Sequence, residues 1–327
     1  MNTRRRLVVA LAGLSAVPDM ALAQPAARVY RLGWLASSAP RSEPYWRLFE
    51  QRLRENGFVE GRNLVIEYRN AEGMLDRLPA LADELSRLSC DAYFSVGVEA
   101  SLKALVQGTR AVPIVVAAID YDPVRAGYVA QLARPGGRVT GVTFLQSELP
   151  AKRVELLAEM MPGLKRLAIL GDAASIGQLE VAQAAARRLG LEVTLHQFRQ
   201  VPYQYEQAFE VFVRERSQAL LALGSSNFVP ARKRIVELTR KHRLPAMFNN
   251  AVWVEGFGGL ASYGPNFNEL MIRVADQLAK VLKGARPQDL PMEQPNVVEL
   301  VLNLATARAI GIAIPKTVNA RADRVIE

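Results

Sequence analysis

Two rhythms of apolar residues alternate along this chain. Val29 to Leu35 is a short apolar run, the pattern of a first strand. Tyr45 to Asn56 sets Leu48, Phe49 and Leu53 on one helical face, and Gly57 follows as a natural C-cap. Leu64 to Tyr68 alternates like a strand, and Arg77 to Leu88 carries a leucine stripe at helical spacing. Asp91 to Val96 predicts a strand ending at Gly97, with a short helix over Glu99 to Gln107. Pro113 opens the β-branched run Ile114-Val115-Val116, the composition of a parallel strand buried on both faces. Val139 to Phe144 predicts one more strand.

The second half repeats the plan. Helices are predicted over Ala151–Met160, Ile176–Leu189, Tyr203–Arg214, Pro230–His242 and Glu269–Leu282. Strands are predicted over Arg166–Leu170, Leu191–Phe198, Ala219–Leu223, Ala246–Phe248 and Leu260–Ser262. Regular alternation of strand and helix implies parallel sheets with helices on both faces. Two such units and a C-terminal tail give two α/β lobes.

The N-terminus changes the picture of charge and compartment. Arg4, Arg5 and Arg6 precede an apolar run from Leu7 to Val17, and Ala21-Leu22-Ala23 offers a cleavage site. Residues 1–23 read as an export signal cleaved near Ala23. The apolar run is shorter than the roughly 20 residues a bilayer requires. No cysteine follows it, so lipid anchoring at a processed cysteine is excluded and the expected compartment is the periplasm. The formal net charge of +9 invites a nucleic-acid reading. An exported chain rarely meets DNA, and the basic segment Arg232 to Arg243 reads as a solvated helix face. No nucleic-acid partner is expected.

Catalytic motifs are missing. The chain has one cysteine, Cys90, and two histidines, His196 and His242. These exclude an internal disulfide, a polythiolate zinc site and a three-histidine metal centre. There is no G-x-x-x-x-G-K-[ST], no G-x-G-x-x-G after the first strand and no G-x-S-x-G. Cys90 reads as a small buried hydrophobe, and neither histidine has an evident partner. No metal or cofactor is expected, and no enzymatic role.

Ligands of open α/β sheets bind beyond the carboxyl ends of the strands. The residues there are Ser37 and Ser38, Gly97-Val98-Glu99, and Asp120-Tyr121-Asp122 in the first half. In the second half they are Asp172, Ser225 and Asn227, Asn249 and Tyr263. Hydroxyls, amides and small residues of this kind can hold a small polar ligand. They are also the usual turn and cap residues, and capping explains any single one of them as well or better.

Several long segments resemble one known family. Glu60-Gly61-Arg62-Asn63-Leu64-Val65-Ile66-Glu67-Tyr68-Arg69 resembles a signature segment of the tryptophan/tyrosine-type ABC-transporter substrate-binding proteins. Asp122-Pro123-Val124 with Ala126-Gly127 is similar to that family, and so is Leu132 to Gly137 followed by Val139-Thr140-Gly141. Further resemblances are Lys241 to Ala246, Ser262 to Asn266, Pro291 to Pro295 and Ala320 to Glu327. The resemblance implies a type I periplasmic-binding fold: two Rossmann-like parallel-sheet lobes joined by a hinge that the chain crosses more than once. It places lobe 1 at residues 28–145 plus about 264–286, and lobe 2 at 146–262 plus about 290–327. Gln146 and Tyr263 would sit near the hinge, and the helix from Glu269 would pack on the first lobe.

The implied function is capture of a small polar, amino-acid-like ligand between the lobes by hinge closure. The implied partner is an ABC permease in the inner membrane, and the receptor is expected to be monomeric. The chain departs from the family where Gly97-Val98-Glu99 replaces a Gly-Thr-Pro-like loop. The change suits a ligand with a cationic or hydroxylated group, or a Glu99 that only caps its helix. Competing readings are a periplasmic sensor feeding a signalling protein, the effector domain of a transcription regulator, and an α/β enzyme.

Overall fold

The computed structural model describes residues 28–38, 40–41, 44–109, 111–119, 121–144, 149–294 and 297–327. The export-signal segment, Asp120, Gln146 and most of the first expected hinge crossing lie outside the described residues.

Among the described residues two sheets form. The first takes strands β1 (Tyr30–Ala36), β2 (Leu64–Asn70), β3 (Ala92–Gly97), β4 (Ile114–Ala118) and β5 (Val139–Thr143) in the order β2-β1-β3-β4-β5. Every neighbouring pair is parallel. The β-branched run of β4 is wholly buried, as a strand covered on both faces requires. Helices α1 (Pro44–Glu55), α2 (Leu78–Ser86) and α3 (Glu99–Gly108) connect the strands. Trp34 on β1 centres an aromatic knot, with ring centroids of Trp46, Phe49, Tyr68 and Phe94 between 4.5 and 5.4 Å away.

The second sheet has the order β12-β11-β10-β9-β8-β6-β7. Its strands are β6 (Arg166–Asp172), β7 (Glu192–Phe198), β8 (Ala219–Ala222), β9 (Ala246–Phe248), β10 (Ala261–Pro265), β11 (Val298–Asn303) and β12 (Arg324–Ile326). Helices α4 (Pro150–Met160), α5 (Ile176–Arg188), α6 (Tyr205–Arg214), α7 (Arg232–Lys241) and α8 (Val252–Glu255) belong with it. The sheet departs from the all-parallel expectation at one place, because β10 and β11 run antiparallel. The chain reaches β11 from the opposite lobe rather than through a crossover helix, so the parallel rule for βαβ units does not apply there.

After β10 the chain crosses to the first lobe. Asn266 caps helix α9 (Phe267–Leu282) by accepting from Glu269 N at 3.1 Å. The apolar face of α9, with Leu270, Met271, Val274 and Leu278, joins the first core beside Phe49 and Leu53 of α1. Arg52 and Asn56 of α1 meet Asp276 of α9 at 2.8 Å each. The return crossing comes after Glu293. Up to there the chain still lies along β5: Glu293 N donates to Gly141 O, and Thr143 N donates to Glu293 O. Helices α10 (Leu304–Ile310) and α11 (Lys316–Asn319) follow β11. Neither β11 nor β12 was predicted from the hydrophobic pattern. Among the described residues no helix is long and apolar enough to cross a membrane.

Helix α7 starts later than its pattern suggested. Ser226–Ala231 form a tight 3-10 turn that contains Pro230, and the α-helix opens at Arg232. Arg232 is then buried rather than solvated.

Candidate functional site

The carboxyl ends of β1, β3 and β4 face those of β6, β8 and β9 across the groove between the lobes. A cavity of about 710 Å3 lies in that groove. Its first-lobe wall includes Gly73, Met74, Asp76, Val98, Glu99 and Tyr121; its second-lobe wall includes Ala173, Ala174, Arg199, Val201, Tyr203 and Asn227. Cavities of roughly 300–1,000 Å3 are the size that takes small molecules. Acidic residues stand on the first wall and Arg199 on the second.

The second-lobe wall carries a preformed hydrogen-bond network. Asp172 ends β6, is fully buried, and gathers three side-chain donors on Oδ2. Ser225 Oγ donates at 2.6 Å, Tyr203 Oη at 3.1 Å and Asn227 Nδ2 at 3.1 Å. Asp172 Oδ1 accepts from Ala174 N at 3.1 Å, so the same carboxylate caps the short turn that follows. The Tyr203 ring stacks on Phe198 at 4.5 Å. Burial and the Asp172 charge push the Tyr203 phenol above its ordinary value, which keeps it a donor.

The first-lobe wall is plainer. Ser37 Oγ accepts from Val98 N at 3.4 Å and lies 3.2 Å from Ser226 Oγ of the other lobe, one of the contacts between the lobes. Gly97 takes φ +107° beneath it, and a Cβ there would collide with Ser37 Oγ. Glu99 opens α3 and accepts from Tyr128 Oη at 3.0 Å. Burial, with Glu99 beside it, pushes the Tyr128 phenol up to about 12. Glu99 stands in the first turn of α3, where its charge complements the helix N-terminus, and no side-chain bond from it to its own helix is found among the described residues.

Deeper between the lobes is a second space of about 30 Å3, edged by Trp46, Gly97, Ile119, Ser226, Asn249, Asn250 and Trp253. That is room for about one water molecule. The buried guanidinium of Arg232 lies 5.8 Å from the ring centroids of Tyr45, Trp253 and Phe257.

The predicted residues therefore divide. Val98, Glu99 and Asn227 line the larger cavity; Gly97, Ser225 and Asn249 line the smaller. Ser37 and Asp172 stand behind the walls and hold other residues, and Ser38 is buried outside both linings. Asp122 is exposed and lines neither space. Its carboxylate accepts from Val124 N at 2.8 Å and closes a turn, as the capping interpretation of Asp residues anticipates. Tyr263 also lies outside both spaces. Strand alternation turns its ring onto the second-lobe core, while its carbonyl accepts from the buried Arg153 at 2.7 Å. Phe228 and Phe248 serve the core, and Cys90 is buried, its thiol pushed up to about 11 by burial.

Sequence reasoning missed Tyr203, Arg199, Arg232 and the Gly73–Asp76 loop. The loop follows β2 and Arg199 follows β7, and both strand ends were passed over. Arg232 gave no signal, because its basic neighbours are solvent-exposed.

The sequence model of one family, described as ABC transporter substrate binding protein, matches residues 47–326. A tyrosine-binding protein of Clostridioides difficile (strain R20291) is 23% identical over 267 residues, covering 80% of this chain and 75% of that protein. Among solved structures, a conserved domain protein from Vibrio cholerae is similar at TM-score 0.80 and 25% identity, over 91% of this chain and all of that one. An ABC domain in complex with L-Trp from Streptococcus pneumonia is similar at TM-score 0.74 and 24% identity, over 91% of this chain and 100% of that one.

Proposed function

The chain belongs to the family of ABC transporter substrate binding proteins, and on that premise we propose that it is an exported receptor that captures an amino-acid-like solute between its lobes and hands it to an ABC permease. The fold is that of type I periplasmic binding proteins, and a solute-binding role follows from the family. The observation that carries the reading is the cleft itself: a cavity of about 710 Å3 walled by strand ends of both lobes. A ligand that touches both walls favours the closed arrangement by its greater affinity for that state. The tyrosine and L-Trp named for two similar proteins support an amino-acid-like solute. The arginine-led, apolar segment before Ala23 supports export to the periplasm.

The role calls for no reacting group. The residues of the cleft bind and orient, and closure excludes water. A thermal-shift screen of the purified protein against amino acids, nucleosides, sugars and small organic acids tests the reading. A true ligand at a hundredfold excess over Kd stabilises the folded state by about 2.7 kcal/mol. The expected result is a clear shift from amino acids. A shift confined to sugars or nucleosides would replace the solute class, and no shift from any compound would overturn solute capture by this cleft.

A further inference from the structure

We infer that the amino-terminal edge of the second sheet is a docking surface for anionic phospholipid, and that it holds the exported receptor at a bilayer with its cleft turned to solution. The inference takes only export from the reading above and does not depend on which solute is bound.

Parallel strands put their starts at one edge. Arg166 at the start of β6 pairs with Glu192 of β7, Leu167 lies opposite Ala219 of β8, and Leu220 lies opposite Ala246 of β9. Helices α5, α6 and α7 run back to that edge and end there in Arg187-Arg188, Arg214 and Arg240-Lys241. These side chains are exposed, and so is Lys165 before β6. The loops are tied to one another. Arg166 Nε donates to Arg216 O at 2.8 Å, and Gln218 Oε1 accepts from Lys165 N at 2.8 Å and Arg166 N at 3.0 Å. Neighbouring strands stand about 4.8 Å apart, so four strand starts spread the cations over roughly 15 Å. Carboxylates are fewer. Glu215 pairs with Arg214 at 3.2 Å and Glu155 reaches Arg188 at 4.0 Å, while Lys241 has Glu206 and Glu210 nearby. Lys165, Arg187, Arg216, Arg240 and Arg243 make no ion pair among the described residues.

The helix dipole does not account for this edge. Cations in a last turn complement a helix C-terminus, and Arg214, Arg240 and Lys241 already do so. Arg216 and Arg243 lie beyond the last turns of α6 and α7, in the left-handed region at φ +54° and +50°. Glycine is usual there, as Gly190 is after α5 with φ +67°. Two arginines therefore occupy positions that their backbone disfavours, and each carries its charge onto the same edge.

Apolar tips stand among these charges. Leu189, beside Arg187 and Arg188, is 44% exposed, and Val213, beside Arg214, is 50% exposed. A single phosphate could meet only one or two cations spread so widely. A bilayer offers an array of phosphates to the guanidinium forks and, just beneath, a depth that accepts isolated apolar side chains. Each cation near an anionic surface strengthens adsorption about fivefold. The cleft lies at the carboxyl ends of the same strands, about 20 Å away along the seven residues of β6. The adsorbed receptor thus keeps its cleft open to solution.

Cosedimentation with lipid vesicles tests this, using the protein purified from the periplasm of an expressing bacterium. Vesicles of about one-third phosphatidylglycerol in phosphatidylcholine are expected to bind it at low salt, at least tenfold more weakly at about 0.5 M salt. Pure phosphatidylcholine is expected not to bind. Arg216→Gly with Arg243→Gly is expected to weaken binding at least tenfold, while the thermal midpoint holds or rises because glycine suits these angles. Should the midpoint fall, Arg187→Gln with Arg240→Gln leaves the backbone alone and is expected to give the same loss. Leu189→Ser with Val213→Ser is expected to cost about threefold. Arg54→Gln with Arg62→Gln removes two exposed charges from the first lobe and is expected to change nothing. All variants share one N-terminus, so differences among them report this face. An equal loss from the first-lobe pair would mean that net charge alone draws the protein, and overturns the inference. No binding to acidic vesicles at low salt, or equal binding to neutral ones, overturns it as well. Capture by immobilised poly-L-glutamate without vesicle binding would make the partner an acidic protein and overturn the lipid assignment.

Discussion

The two lobes build the same cleft by different means. The first is an all-parallel sheet with an aromatic knot around Trp34, and its wall meets the cleft with exposed acids and small hydroxyl and glycine residues. The second presents buried polar side chains already bonded to one another around Asp172. A wall whose groups are fixed in advance loses little conformational entropy when a ligand arrives. The second lobe is thereby organised to read chemistry. The first is organised to cover it, with Ser37 meeting Ser226 where the lobes touch.

The harshest way to break this comparison is to damage each sheet with one methyl group. Gly141 on β5 takes φ +142°, and a Cβ would collide with the Val116 carbonyl oxygen; at Gly264 on β10 it would collide with the Asn249 carbonyl oxygen. Gly141→Ala and Gly264→Ala are each expected to cost about 4 kcal/mol or more. Denaturant unfolding measures the loss, and a change below 1 kcal/mol in either would show that the strand can shift to make room.

A sharper contrast comes from the two walls. Asp172→Ala leaves the Ser225, Tyr203 and Asn227 donors buried without their shared acceptor, at an expected cost of about 2–3 kcal/mol together with loss of solute binding. Ser37→Ala removes one hydroxyl and its two long contacts, to Val98 N and Ser226 Oγ, for about 1 kcal/mol and a severalfold weaker affinity. Equal damage from the two would mean that both walls read the ligand.

The smallest effect is with pH. Both histidines lie in the second lobe. Burial lowers the pKa of His196 from its usual 6.5; burial and then Lys241 lower that of His242. The folded protein holds these rings neutral where the unfolded chain takes protons. Stability is therefore full above about pH 6.5 and declines as pH falls below it. His196→Gln is expected to flatten that decline in urea midpoints measured from pH 7 to 5. An unaltered slope would place the acid sensitivity on other groups.

Most of the fold could be read from the chain. The apolar periodicity located every strand of the first sheet and those of the second as far as β10, because buried faces impose period 2 or 3.6 directly on sequence. Strands β11 and β12 were not legible. β11 runs beside β10 only after the chain has crossed from the other lobe, and β12 covers just Arg324–Ile326. The site was legible by rule rather than by motif. Strand ends pointed to Val98, Glu99 and Asn227, but the same rule put forward Asp122, which only closes a turn.

Sequence by itself determined the alternating α/β plan, the lack of catalytic motifs and the family resemblance, since each depends on residue type and local spacing. Only the tertiary structure decided which polar residues act together. Asp172, Tyr203, Ser225 and Asn227 come from separate strand ends and share no local pattern. Gly73 approaches Asn227 across the groove between the lobes, far from it along the chain. Hydrogen bonds act over about 3 Å in space whatever the distance along the chain, and a one-dimensional pattern carries no record of that proximity.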